Sequence, residues 1–209
     1  VELDDKLCVL LKEKFSTEIE EGKLVLLEGN ALEMDFPKFN KVVSLPPYTI
    51  SSDLMYKLAL INGIESMTFV FQREFVQKCT AIEGYNQYGP LSVLLGYFFD
   101  SKIMQLNVSP ENFFPKPSSF SSLVVFHRNT NVKSVPEIEK FVLFLRQVFR
   151  LRNKNLSNAL EKSYPFIKKI LDLSKKDFDK KLASAKLDEI KVYQYSPKQF
   201  AQLFQLFLK

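Results

Sequence analysis

The sequence has no tryptophan, one histidine, two cysteines and six glycines among its 209 residues. A single imidazole, His127, leaves no material for a zinc centre or a Ser/His/Asp hydrolase, and it stands where a strand would end. No metal is expected. Cys8 and Cys79 lie far apart without metal-ligand spacing, which fits reduced thiols in a cytoplasmic protein. No apolar run reaches the roughly 18 to 20 residues of a membrane span, and no signal peptide is visible. The expectation is a protein neither membrane-bound nor secreted.

What is present is a hydrophobic fraction of 46% against 25% charged residues, enough for one substantial core and a smaller appendage. Twenty phenylalanines and eight tyrosines predict a phenylalanine-rich core and leave rings available for base stacking. A formal charge of +5 favours polyanionic partners.

The first 129 residues alternate strand and helix patterns. Val1-Glu2-Leu3 suits a strand, and the helix after it carries Leu7, Leu10, Leu11 and Phe15 at helical spacing. Residues 24–27, 41–43 and 67–71 are short apolar strand candidates, and Ser51 and Ser52 suit an N-cap for a helix over 53–60. This alternation predicts βαβ units and a parallel sheet covered on both faces. Helices are expected after Gln72-Arg73-Glu74 to about Thr80 and over 91–98, with a loop at 81–89 between them. Strands at 103–108 and 120–126, joined by the proline-rich 110–117, predict an antiparallel hairpin at the sheet edge. A boundary at 128–136 divides residues 1–129 from an all-helical 130–209. There Ile138, Phe141, Val142, Leu145, Val148 and Phe149 form one apolar stripe, and helices follow near 156–171, 176–183 and 197–207.

Two features carry chemistry. The run Ser44-Leu45-Pro46-Pro47-Tyr48-Thr49-Ile50-Ser51-Ser52 leaves the carboxyl end of a strand. A Pro-Pro-aromatic turn in that place is what amino-methyltransferases use to hold an exocyclic base nitrogen against a methyl donor. Fixed proline φ angles stiffen it before the base arrives. Further on, Arg146, Arg150 and Lys154 fall at i, i+4 and i+8, with Arg152 nearby, a spacing that places cations on one helix face for successive phosphates. The pairs Lys175-Lys176 and Lys180-Lys181 suit an ordinary solvated surface.

Seven blocks in order give the chain a family resemblance: Val1-Glu2-Leu3-Asp4, Gly29-Asn30-Ala31, Leu45-Pro46-Pro47-Tyr48 with Ile50-Ser51-Ser52, Phe71-Gln72-Arg73-Glu74-Phe75, Tyr88-Gly89-Pro90-Leu91-Ser92-Val93, Phe113-Phe114-Pro115-Lys116-Pro117, and Phe149-Arg150-Leu151-Arg152-Asn153-Lys154. It resembles the KsgA-type ribosomal RNA adenine dimethyltransferases, especially their archaeal members. The resemblance implies an α/β fold, a Rossmann-like methyltransferase domain carrying a small all-helical C-terminal domain. It implies S-adenosyl-L-methionine as methyl donor and transfer of two methyl groups to N6 of each of two adjacent adenines. Those adenines lie in the hairpin loop near the 3′ end of small-subunit rRNA. A pre-small-subunit ribosomal particle is the implied partner and a monomer the implied state.

By the same resemblance Glu2, with Leu3, takes the place that binds the donor's ribose hydroxyls, and Asn30, with Ala31, the place that accepts from its adenine amino group. Tyr48 and Phe113 are the candidates for stacking on the flipped adenine. Pro47 belongs to the same catalytic turn. The family's turn reads Asn-Leu/Ile-Pro-Tyr, so an ungapped alignment puts Leu45 at the amide position, whereas a one-residue insertion puts Ser44 there. Both alignments stand. Pro90 and Ser118 occupy positions where the family carries basic residues. The family also opens with a Gly-rich donor loop after a first strand, and this sequence starts at the second strand with no G-x-G arrangement. The expectation is that it is part of a longer protein that carries that loop. A catalytically weakened relative acting as a small-subunit assembly factor is the alternative.

Overall fold

A computed structural model describes every residue except 188 and 209. Its central strand is β2 (Ser66–Gln72), in which Met67, Phe69 and Phe71 are fully buried while the residues between them are half-buried. That period of two is the signature of a strand packed on one face. β1 (Lys41–Ser44) lies parallel to β2 with Val43 opposite Thr68. On the other side β4 (Ser121–Arg128) runs antiparallel to β2, and β3 (Phe99–Val108) closes the edge antiparallel to β4, giving the order β1-β2-β4-β3. The expected edge hairpin is present. The sheet as a whole is mixed, because only β1 and β2 pair in parallel.

Helices α1 (Asp5–Lys14), α2 (Ser16–Glu20), α3 (Ser51–Leu60), α4 (Arg73–Cys79) and α5 (Pro90–Phe98) accompany the sheet. Asp4 caps α1, its carboxylate accepting from the N–H groups of Lys6 and Leu7. α5 is buried along most of its length, and at Gly96 an added Cβ would come within 3.3 Å of Pro197. Glycine there lets the last helix close on the first part of the chain. That helix, α9 (Pro197–Leu208), packs with α6 (Ile138–Phe149) and α8 (Lys175–Ser184), and α7 (Leu156–Leu171) packs with both of these. The predicted stripe on α6 faces inward, with Phe141, Val142, Leu145, Val148 and Phe149 all buried. Aromatic contacts fill this part: Phe141 lies 5.1 Å from Phe204 between ring centroids, and Phe178 stacks at 5.3 Å on Phe207. The buried Tyr88 ring meets Phe149 at 5.8 Å, and its hydroxyl donates to the Tyr195 carbonyl at 2.9 Å.

Four expectations are corrected. Residues 24–27 form no strand. The Glu2 N–H donates to the Leu27 carbonyl and the Gly29 N–H to the Glu2 carbonyl, which makes one isolated parallel bridge between Glu2 and Glu28 and leaves Val25 71% exposed. Leu7 and Leu10 of α1 are exposed, and Cys8 is that helix's buried residue. Ser51 and Ser52 lie inside α3 and do not cap it, because a 3-10 turn over Tyr48–Ile50 leads directly into the helix. Lastly, α6 ends at Phe149, so Arg150 and Arg152 stand in the turns after it and Lys154 in the bend that follows, and they do not continue its face.

Candidate active site

Because β1 and β2 run parallel, their carboxyl ends reach the same edge of the sheet, the place where open α/β sheets bind ligands. The Pro-Pro-Tyr turn leaves β1 at this edge. Ser44 is the last residue of β1 and half-buried, Leu45 is 56% exposed, and Pro46 is buried. Pro47 adopts φ −53° and ψ 134°, and its carbonyl accepts from the Ile50 N–H at 3.2 Å. Fixed φ and this bond set the turn's course. Its tip is then tied across the sheet: the hydroxyls of Tyr48 and Ser121 lie 2.6 Å apart, and Ser121 is fully buried.

The connection from β3 to β4 arrives at the same edge, since Ser121 opens β4 opposite Gln72 at the end of β2. Gln72 donates its side-chain amide to the Ser119 hydroxyl at 3.4 Å, and the Arg73 N–H donates to the Phe120 carbonyl at 2.9 Å. The Arg73 guanidinium lies 5.6 Å from the Phe120 ring centroid and donates to Asn107 Oδ1 at 3.3 Å. Phe113 follows a 3-10 turn over Pro110–Asn112, donates its N–H to the Pro110 carbonyl and is half-buried; Phe114 beside it is fully exposed. Tyr48 and the segment bearing Phe113 thus belong to one cluster of loops. Sequence reasoning missed Ser121 and Ser119 as supports of this cluster. Their only signal was a pair of small hydroxyl residues where a strand begins.

Glu2 and the Gly29-Asn30-Ala31 block are brought side by side by the Glu2–Glu28 bridge. Glu2 Oε1 accepts from the N–H groups of Leu3 at 2.8 Å and Asp4 at 2.9 Å, which orients the carboxylate. Asn30 Oδ1 accepts from the Leu32 N–H at 2.9 Å, and its Nδ2 donates to Glu33 Oε1 at 2.8 Å. Asn30 is therefore fixed with its side-chain oxygen turned to the Leu32 backbone amide. Among the described residues no hydrogen bond, ion pair or ring contact joins Glu2 or Asn30 to the turn or to Phe113.

The basic side chains divide by environment. Arg146 lies 4.3 Å from the centroid of Tyr56 on α3, and burial pushes the Tyr56 hydroxyl above its ordinary pKa, an effect the Arg146 guanidinium opposes. Arg152 donates to the carbonyls of Asn86 at 2.6 Å and Tyr85 at 3.3 Å and stacks at 5.2 Å on Tyr193. It braces the 81–89 loop. Arg150, 5.7 Å from the Phe166 ring centroid, and Lys154 are exposed.

A mixed sheet flanked by helices, with a rigid proline-tyrosine turn at the carboxyl end of a strand and a helical appendage, defines a Rossmann-like methyltransferase fold. The fold of the dimethyladenosine transferase from Plasmodium falciparum matches with a TM-score of 0.79, at 22% identity over 98% of this chain and 79% of that one. The 23S rRNA methyltransferase ErmE follows with a TM-score of 0.62, at 20% identity over 99% of this chain and 80% of that one.

The profile of the ribosomal RNA adenine dimethylase family matches residues 1–204, and the chain belongs to this family. It is 34% identical over 160 residues to the probable ribosomal RNA small subunit methyltransferase A of Natronomonas pharaonis, covering 77% of this chain and 57% of that protein. It is also 34% identical over 188 residues to the probable ribosomal RNA small subunit methyltransferase A of Methanococcoides burtonii, covering 88% of this chain and 68% of the relative. The chain spans little more than half the length of some of the curated relatives it matches.

Proposed function

We propose that the protein transfers methyl groups from S-adenosyl-L-methionine to N6 of adjacent adenines in the hairpin loop near the 3′ end of small-subunit rRNA. The observation that carries this reading is the Pro-Pro-Tyr turn, held at the carboxyl end of β1 by the Tyr48–Ser121 hydrogen bond, in a chain of the rRNA adenine dimethylase family. Family membership implies the donor. The described residues fit its nucleoside end: a carboxylate at Glu2, oriented by two backbone amides, stands beside the immobilised Asn30 and the Ala31 backbone. Glu2 and Leu3 would hold the ribose hydroxyls, and Asn30 and Ala31 the adenine edge. The bound donor supplies an electrophilic methyl on a sulfonium.

N6 of adenine is a weak nucleophile, because its lone pair is delocalised into the ring. The turn's task is to accept hydrogen bonds from the N6–H groups, so that the nitrogen becomes pyramidal toward the methyl. The Pro47 carbonyl already accepts from Ile50, so the main-chain acceptor comes from Leu45 or Pro46. The Ser44 hydroxyl, at the end of β1, is the side-chain acceptor, because the exposed side chain of Leu45 has no atom that can hydrogen-bond. Tyr48 and Phe113 replace the stacking that the flipped base loses. Most of the acceleration is positioning.

Residues 1–129 form the catalytic part, and residues 130–209 contact rRNA through Arg146, Arg150 and Lys154, with Arg152 supporting them. The protein acts as a cytoplasmic monomer on a small-subunit precursor particle. The test is transfer of labelled methyl from S-adenosyl-L-methionine to small-subunit rRNA, followed by nucleoside analysis. Labelled N6,N6-dimethyladenosine is expected. Binding of the particle without any transfer would reject the enzymatic reading and assign a non-catalytic assembly role.

A further inference from the structure

α7 buries Leu156, Ala159, Leu160, Ser163 and Ile167. At 3.6 residues per turn, Lys162, Phe166 and Lys169 fall together along one flank of that buried stripe, Phe166 at its border and the two lysines further round, and all three are exposed. Phe166 is 47% exposed, in a helical region where Phe141, Phe144, Phe178, Phe200 and Phe204 are fully buried. Exposing a phenyl ring forgoes its burial energy, roughly 1.5 to 3 kcal/mol. Arg150 projects from the end of α6 to within 5.7 Å of its centroid.

Arg150, Lys162 and Lys169 form no ion pair among the described residues. The one acid of α7, Glu161, lies about 100° round the helix from Lys162. Lys175, by contrast, is occupied by Asp179 and by the rings of Tyr164 and Phe178.

We propose that this outer face of α7 is a docking site for an unpaired stretch of RNA, with Phe166 as the stacking platform for one base and Arg150, Lys162 and Lys169 as contacts to the flanking phosphates. Uncompensated positive charge selects a polyanion, and an exposed ring among the cations selects an unstacked base over a duplex backbone. The inference rests on the rRNA-methylation reading and adds a contact on the helical part, apart from the Pro-Pro-Tyr turn.

The test measures binding of the full chain to a labelled single-stranded RNA of about 12 nucleotides, within the span of single-strand sites, and to a paired duplex of equal length. Phe166→Ala and Phe166→Leu should each weaken single-strand binding by about tenfold, the order of one base–aromatic stack. Phe166→Tyr should keep wild-type affinity. None of the three should alter duplex binding or the salt dependence. Lys162→Gln with Lys169→Gln should instead flatten the slope of log affinity against log salt by about 1.4, or 0.7 per single-strand phosphate contact. Wild-type single-strand affinity in Phe166→Leu would overturn the stacking site, and so would equal losses on single strand and duplex. Methyl transfer at saturating rRNA, read on the same preparations, reports on the underlying reading separately: transfer retained alongside unaltered binding rejects this site alone.

Discussion

The hydroxyl of Tyr48 lies 2.6 Å from the hydroxyl of Ser121, a residue 73 positions away. One hydrogen bond thereby ties the turn after β1 to the first residue of β4. Ser121→Ala and Tyr48→Phe each remove that tie while keeping the packing. Loss of one such bond is worth about 0.5 to 1.5 kcal/mol, so the rate of methyl transfer should fall up to about tenfold while rRNA affinity stays the same. Tyr48→Ala, which also removes the ring, should abolish most transfer and leave binding nearly intact. Single-turnover rates measured beside binding isotherms separate these effects, and unchanged transfer in Tyr48→Ala would remove the turn from the active site.

The four arginines and lysines near the end of α6 should behave differently from one another. Arg152→Ala removes two hydrogen bonds to the 81–89 loop and the stack on Tyr193, and should lower unfolding stability by about 1 to 3 kcal/mol. Arg150→Ala with Lys154→Ala should leave stability unchanged and flatten the salt dependence of rRNA binding by a slope of about 1.4 to 1.8. Urea titrations and salt series on the same variants check both.

Much of this division was out of reach of the sequence. Periodicity identifies β2, α5 and α6 because each buries one face, or all faces, against a large core, and burial is what periodicity records. It fails at 24–27, where an apolar run joins no sheet and only Glu28 after it bridges to Glu2, and at 150–154, where cations continue a helical spacing past the helix's last turn. The turn Ser44 to Tyr48 is legible because prolines restrict the backbone locally. Its anchor is not, since only the folding of β4 beside β2 brings Ser121 to Tyr48. The pairing of Arg146 with Tyr56 likewise depends on how α6 meets α3.

Tyr88→Phe isolates one contact between the two parts of the chain. The ring stays against Phe149, and only the buried bond to the Tyr195 carbonyl is lost. Stability should fall by about 0.5 to 1.5 kcal/mol, with no change in the distribution of buried rings. Chemical denaturation against wild type measures it.

Burial pushes the Cys79 thiol well above its ordinary value of 9.0. Once the pH rises past 9.0 the unfolded chain releases a proton that the native chain keeps, so the native state loses stability with increasing pH. Below that value the contribution is constant. Denaturation midpoints should therefore decline on the alkaline side, and Cys79→Ala should decline less steeply. At neutral pH the native protein should resist alkylation at Cys79, whereas denatured protein should react.

Mass spectrometry of the 3′-terminal fragment of small-subunit rRNA, taken from cells with and without this protein, tests the central claim most directly. The account predicts two adjacent N6,N6-dimethyladenosines when the protein is present and unmodified adenines when it is absent, with Tyr48→Ala behaving as the absence. Full dimethylation in cells that lack the protein, or in cells whose only copy carries Tyr48→Ala, would contradict it.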